Sequence, residues 1–283
     1  MNFFAAKDAL AFFSQNVDFY IKVGELLRTK IRDSNFNFYC AVCERLTQAL
    51  PSDDWNLRNQ IICSNCNHGG RARHAYDVIT NLLSDDKRPR RLIFEEITQF
   101  KKMLNDKVGG FRGVEYLGAD KVPGKIYASN GYDLEHQDMC NLSFGDKSFD
   151  LICSFDVLEH VYDMEKALAE LYRVIDDKGL IILTVPFYDN VEKTVIRSSL
   201  VDEKLVLIQP AAYHGNPLSD EGSLVFADPG RDLLDMMIKV GFDIKLSLGA
   251  NLEKGLFPDA NSNVSNHCWN VIFILNKSSR HVN

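Results

Sequence analysis

The sequence predicts an α/β fold: a Rossmann-like, seven-stranded doubly wound sheet with an N-terminal helical segment and a small zinc ribbon. From residue 91 onward, apolar runs of strand length alternate with stretches of helical periodicity, the pattern of parallel strands joined by crossover helices. Ahead of them stand two C-x2-C pairs, and ahead of those an apolar stripe at helical spacing. The expected boundaries are 1–34 for the helical segment, 35–75 for the ribbon and 76–283 for the sheet domain, with an insertion at 188–225.

Near the N-terminus, Phe3, Phe4, Leu10, Phe13, Val17, Tyr20, Val23, Leu26 and Leu27 mark one or two amphipathic helices ending near Lys30. Lys7, Asp8, Gln15 and Asp18 interrupt the apolar run, so it reads as neither signal peptide nor anchor, and no other run is long enough to span a bilayer. The stripe either packs on its own domain or serves as a homodimer arm. A stripe reports burial without naming its partner.

Cys40-Ala-Val-Cys43 and Cys63-Ser-Asn-Cys66 are separated by nineteen residues. That spacing lets two tight turns present Cys40, Cys43, Cys63 and Cys66 tetrahedrally to one Zn(II), with residues 55–62 as a hairpin strand between them. Four protein ligands leave no open position, so the expected metal is structural. Four unrelated buried cysteines, or an iron centre of the rubredoxin type, are the alternatives. His68 and His74 read as surface residues or as hydrogen-bond partners of the cysteine set. Seven cysteines with no secretory signal point to a reducing, cytoplasmic setting.

A net charge of −7 and a pI near 5.5 argue against general nucleic-acid binding or anionic-membrane binding, both of which need concentrated positive charge. The basic cluster KRPRR at 87–91 reads as a solvated linker.

Candidate strands lie at 91–97, 113–117, 134–138, 149–154 and 180–185, with two more near 242–248 and 269–275. Helices are expected at 74–84, 164–175 (buried face Ala167, Leu168, Leu171, Val174) and 230–240. Asp177-Lys178-Gly179 reads as the turn between the second of these helices and the strand at 180–185. Ser154, Phe155, Asp156, Glu159 and His160 then stand at a strand's carboxyl edge, where open α/β sheets bind ligands. A histidine there can take a proton from a substrate hydroxyl, because its pKa lies near neutrality, or it can orient the helix start. Glu159 and Asp156 read as fixing loop and helix geometry. Within the insertion, Tyr213-His214-Gly215-Asn216-Pro217 places turn formers around an aromatic pair, and His214 is the other candidate base. Asp228 and Arg231 read as the N-terminal turn of the helix that follows.

The stretch 141–187, with F-D-L-I at 149–152, L-E-H-V at 158–161 and R-V-I-D-D-K-G at 173–179, resembles class I S-adenosylmethionine-dependent methyltransferases. Their signature there runs approximately F-D-x-V, L-E-H-V, R-V-L-K-P-G-G. In that family the first strand ends in a glycine-rich turn; here the turn is Glu95-Glu96-Ile97-Thr98-Gln99-Phe100, without glycine. The chain is similar at this point to a bacterial subgroup with I-Y-E-Q-x-T-P-F, a G-S-E-Y/F-L-G strand end and Y-H-G-N/D-P. It supplies Glu95, Thr98 and Phe100, then Gly113-Val114-Glu115-Tyr116-Leu117-Gly118, then the His214 segment, with Gln99 in place of the subgroup's proline.

The resemblance implies that Glu115, or Asp120 in its place, accepts from the ribose hydroxyls of S-adenosylmethionine. It implies that Asp138 accepts from the adenine amino group, that Met139 offers its amide and an apolar face, and that Ser154 and Phe155 line the site beside the sulfonium. Glu95 and Thr98 belong to the turn facing the methionine end. The expected reaction is methyl transfer to an oxygen or nitrogen of a small or saccharide-like acceptor. A non-catalytic protein that keeps the fold for binding or assembly is the second expectation. Ribbon-mediated RNA recognition is a third, weakened by the acidic balance.

Overall fold

The computed structural model describes residues 3–52, 56–83, 89–202, 204–259 and 268–278. Seven strands form one sheet: β1 (Phe3–Ala5), β2 (Arg91–Ile93), β3 (Phe111–Gly113), β4 (Phe149–Phe155), β5 (Ile175–Thr184), β6 (Phe242–Leu248) and β7 (Val271–Lys277). Their spatial order is β1-β6-β7-β5-β4-β2-β3. The pairs β3 with β2, β2 with β4, and β4 with β5 are all parallel. Continuous apolar runs in β4 and β5, with Leu151, Ile152, Cys153, Ile181, Ile182 and Leu183 at most 1% exposed, are what strands covered on both faces require. No helix among the described residues is long and apolar enough to cross a membrane.

The chain divides into two compact units, with β6 and β7 contributing residues to each. One comprises 1–86, 186–192 and 245–273. Its longest element is α1 (Ala6–Arg32), a single helix whose buried positions include Ala9, Phe13, Tyr20, Leu27 and Ile31, the spacing of one helical face. Phe13 stacks on Trp269 with centroids 4.2 Å apart, and Trp269 Nε1 donates to Asp189 at 2.6 Å. Phe13, Tyr20 and Leu27 of the stripe are therefore packed against their own chain, while Leu26 is exposed. Phe3 and Phe4 are not helical as expected; they lie in β1, which pairs antiparallel with β6. In the segment expected to form the ribbon, Asn37–Cys40 and Arg45–Gln48 form a hairpin, and Ala49 bridges Cys63. The strand expected at 55–62 is instead a helical turn, α2 (Leu57–Gln60), because the Asn56 side chain caps it by accepting from the Asn59 amide; Trp55 lies outside the described residues. α3 (Gly70–Leu83) begins four residues before the predicted 74.

From α3, Arg73 ties this unit together. Its guanidinium donates to the carbonyls of Ile61, His68, Lys254 and Gly255 and lies 4.1 Å above the Phe38 ring. His74 is fully enclosed, bonded to Ser247 Oγ at 2.9 Å and Asn270 Oδ1 at 3.2 Å, and burial lowers its pKa to about 4. It is a core residue, not a surface one.

The other unit comprises 87–185, 193–244 and 274–283. Helix α4 (Gln99–Lys107) follows β2, and α5 (Met164–Val174) joins β4 to β5 with Asp163 as its N-cap. Helix α6 (Asp232–Val240) ends at Gly241, whose φ of 113° needs glycine. The turn expected at Asp177-Lys178-Gly179 is a bulge: Phe149 faces Ile175 but Leu151 faces Leu180, so extra residues of β5 loop out without ending the strand. The strand expected at 134–138 is not in the sheet. Tyr132–Glu135 pairs with Ile126–Ser129 across Asn130-Gly131, both at positive φ, a two-residue hairpin turn that takes these residues out of the sheet. One parallel bridge, Glu115 to His136, is all that remains beside β3. Of the basic cluster, Arg90 is held by Asp150 and Asp176 and is no linker, while Lys87 and Arg88 lie outside the described residues.

The insertion folds as hairpins, 198–201 with 204–207 and 213–216 with 219–224. Tyr213 and His214 thus sit on a strand instead of a central loop. Asp228 is not in the α6 turn: it pairs with Val195 in a short ladder and binds Arg197 at 2.8 Å.

Candidate functional site

Residues 94–98 leave the carboxyl end of β2 and enter α4, whose N-cap is Thr98, its hydroxyl accepting from the Lys101 amide. None of these residues has positive φ, so the path of the turn is open to any side chain. Thr98 Oγ1 donates to Glu95 at 2.5 Å. Beyond β3, Glu115 Oε1 accepts the Glu96 amide at 2.7 Å and the Ile97 amide at 3.4 Å. Burial raises the Glu115 pKa, and the two amides work against that rise. The glycine that the turn lacks is found next door. A Cβ on Gly113 would come within 2.6 Å of the Glu95 carbonyl and 2.1 Å of Glu96 Oε2, so the bare backbone of β3 is what lets the turn descend.

The same bridge that joins Glu115 to His136 carries the chain to Asp138, whose Oδ1 accepts the Cys140 amide at 2.8 Å and closes a tight turn. Met139 is buried. At the end of β4, Ser154 and Phe155 are buried, Phe155 packing edge-on against Phe100. Asp156 holds a left-handed φ of 53° because Thr184 of β5 grips it: the Asp156 amide donates to the Thr184 carbonyl, and the Thr184 hydroxyl donates to Asp156 Oδ1 at 2.8 Å. Fixing local geometry is indeed what Asp156 does.

Glu159 differs from its expected role. It lies in the 3-10 turn Leu158–His160, is 0% exposed, and neither carboxylate oxygen accepts a hydrogen bond. Oε1 faces His160 Nε2 at 3.6 Å and His214 Nδ1 at 3.4 Å. His160 Nδ1 lies 2.8 Å from the Leu224 carbonyl, which can only accept, so Nδ1 carries the proton. The two rings meet edge to face at 5.0 Å. The nearby carboxylate raises the pKa of His214, against the opposing pull of burial. The sequence marks both histidines as candidate bases and gives the acid between them only a role in loop and helix geometry. The signal was the adjacent Glu-His pair, but burial of Glu159 is a tertiary property.

Cys40, Cys43, Cys63 and Cys66 bring their sulfurs within 4.8 Å of one another. Cys40 and Cys66 are 3.7 Å apart, Cys43 and Cys63 3.8 Å. The Cys66 thiol stabilises the Cys40 thiolate, pulling the Cys40 pKa down to about 5. His68 adds no ligand; its Nδ1 bonds the Cys66 carbonyl at 2.8 Å.

No curated protein matches the chain. Among solved structures it is similar to an S-adenosylmethionine dependent methyltransferase from Mesorhizobium loti (12% identity, 72% of this chain and 98% of that one, TM-score 0.44). It is also similar to phosphoethanolamine N-methyltransferase 2 of Haemonchus contortus in complex with S-adenosyl-L-methionine (14%, 72% and 52%, TM-score 0.41). A third is 1,6-didemethyltoxoflavin-N1-methyltransferase of Burkholderia thailandensis with S-adenosylhomocysteine bound (13%, 74% and 79%, TM-score 0.39). Residues 112–183, the stretch holding Glu115, Asp138, Ser154, Glu159 and His160, match the family described as "Methyltransferase domain".

Proposed function

We propose that this chain is an S-adenosylmethionine-dependent enzyme that methylates an oxygen or nitrogen of a small or saccharide-like acceptor. The observation that carries this is the methyltransferase-domain match over 112–183, which includes the residues at the carboxyl ends of β3 and β4. The donor set fits the cofactor: Glu115 uses only Oε1 on the turn and Asp138 only Oδ1 on its own turn, so each keeps a second oxygen as an acceptor. Glu115 would hold the ribose hydroxyls and Asp138 the adenine amino group, with the Met139 amide beside the ring. Ser154 and Phe155 would line the wall, while Glu95 and Thr98 shape the turn at the methionine end. The cofactor supplies an electrophilic methyl group when bound. The chain's own work is orientation and water exclusion, plus proton removal by His160 or His214.

The four cysteines fit structural Zn(II). Tetrahedral thiolates at about 2.3 Å from zinc stand about 3.8 Å apart, matching the separations of 3.7 and 3.8 Å. Arg73, whose charge the cysteines feel, would offset part of the anionic centre. Seven free thiols suit a cytoplasmic setting.

Calorimetric titration with S-adenosylhomocysteine tests the enzyme reading. One-to-one binding is expected, at least tenfold weaker in Asp138→Ala and Glu115→Ala. Absence of heat with the unmutated protein refutes it.

A further inference from the structure

We propose that Glu159, His160 and His214 bind a divalent first-row transition-metal ion, leaving an open coordination position for an oxygen of the acceptor. The metal half stands on geometry alone; the acceptor half rests on the methyl-transfer reading.

A fully buried carboxylate with no hydrogen bond to either oxygen is costly unless a cation faces it. Glu159 is in that state at 0% exposure. What faces it are two imidazole nitrogens, His160 Nε2 at 3.6 Å and His214 Nδ1 at 3.4 Å. Both separations exceed a normal hydrogen bond. They match the spacing of two ligands on one ion: nitrogen and oxygen donors at about 2.1 Å from a tetrahedral centre stand about 3.4 Å apart.

The tautomer agrees. With Nδ1 of His160 donating to the Leu224 carbonyl, Nε2 turns its lone pair toward the carboxylate, an arrangement of two acceptors that an ion between them resolves. An imidazole whose second nitrogen is anchored to a carbonyl is the usual arrangement of a metal ligand. The backbone around the site is built as well. Glu159 accepts the Phe226 amide through its carbonyl, and Gly222, at φ of 83°, faces the His214 carbonyl where any Cβ would sit 2.3 Å away. Two imidazoles with one carboxylate favour transition metals over Mg(II) or Ca(II), and three protein ligands leave a position for a water or a hydroxyl. The bound ion takes over the part given above to an imidazole base: a hydroxyl held there would lose its proton to solvent more readily.

Manganous ion tests this, because it competes poorly for thiolate sites and so discriminates against the cysteine cluster. Electron paramagnetic resonance titration of the full chain with Mn(II) is expected to show one bound ion. Affinity should fall at least tenfold in His214→Ala and vanish in Glu159→Gln. Enhanced water-proton relaxation should report an exchangeable water on the bound ion. Circular dichroism checks folding, and His214→Ala, on a partly exposed hairpin strand, remains decisive if Glu159→Gln misfolds. No Mn(II) binding, or binding unchanged in a folded variant, overturns the metal site. A bound ion without an exchangeable water overturns the open position. Absence of Mn(II) binding to the unmutated protein with normal S-adenosylhomocysteine heat sinks only the metal inference; the reverse result sinks the methyl-transfer reading and, with it, the acceptor half of this proposal, leaving the metal site standing.

Discussion

The Glu115 carboxylate accepts the backbone amide of Glu96 at 2.7 Å, so the residue expected to hold the ribose also supports the glycine-free turn. One side chain couples the two halves of the expected cofactor site. Glu115→Gln keeps an acceptor for the amide but gives up the charge. It should leave thermal stability nearly unchanged while weakening S-adenosylhomocysteine binding, a separation that Glu115→Ala will not show. Equal losses of stability and affinity in Glu115→Gln would mean that the charge serves the turn alone.

Gly113→Ala should disturb the same turn from the other side. Its Cβ would approach the Glu95 carbonyl to 2.6 Å, a backbone atom that must move. A stability loss of about 1–3 kcal/mol is expected from overpacking. Affinity for S-adenosylhomocysteine should drop tenfold or more, read by calorimetry beside a denaturation curve.

Gly222→Ala places strain opposite His214, since φ is 83° and the Cβ would meet the His214 carbonyl. About 1–3 kcal/mol of strain is expected. Methyl transfer should fall while S-adenosylhomocysteine still binds, because the hairpin touches Glu159 and His160 and none of the expected cofactor acceptors.

His74 should make stability pH-dependent. Its folded pKa of about 4 lies below the ordinary 6.5, so the unfolded chain takes up a proton that the folded chain refuses. Stability from this group is fully present above pH ~6.5 and is lost as pH falls toward ~4, by ~3 kcal/mol in all. Acid release of the proposed metal from the four cysteines, if it is bound, would add to the slope. The difference between the unmutated protein and His74→Gln isolates the histidine: if both lose stability equally across that window, His74 is not responsible.

Phe13→Ala removes a fully buried ring from the Trp269 stack. A loss of about 3–5 kcal/mol is expected, with no change in oligomeric state at fixed concentration. Conversion from dimer to monomer, seen by sedimentation, would instead mean that the helix is an assembly arm.

Much of the fold is legible because periodicity and burial coincide. Met164–Val174 and Phe149–Phe155 fall within one residue of their predicted ends, since the positions that are apolar in sequence are the ones that are buried. What failed was local chemistry outweighing pattern. Asn130-Gly131 is a hairpin signal of its own, and it drew Leu134 and Glu135 into a ribbon with residues 126 and 127. Asn56 capped a helical turn where a strand was expected. In the site, the histidines are legible from their proton chemistry. Glu159 is not, because what marks it is the absence of hydrogen bonds around a buried charge.

The contact between Phe13 and Trp269 also sets an order of events. Residues separated by most of the chain must meet before α1 has its partner, so the unit built on 1–86, 186–192 and 245–273 closes only after synthesis has passed residue 273. The cysteine turns, by contrast, lie within 27 residues of sequence and can meet while the remainder is still being made. During translation the long helix waits with its aromatic face uncovered, and that interval is when the nascent protein is most exposed to aggregation.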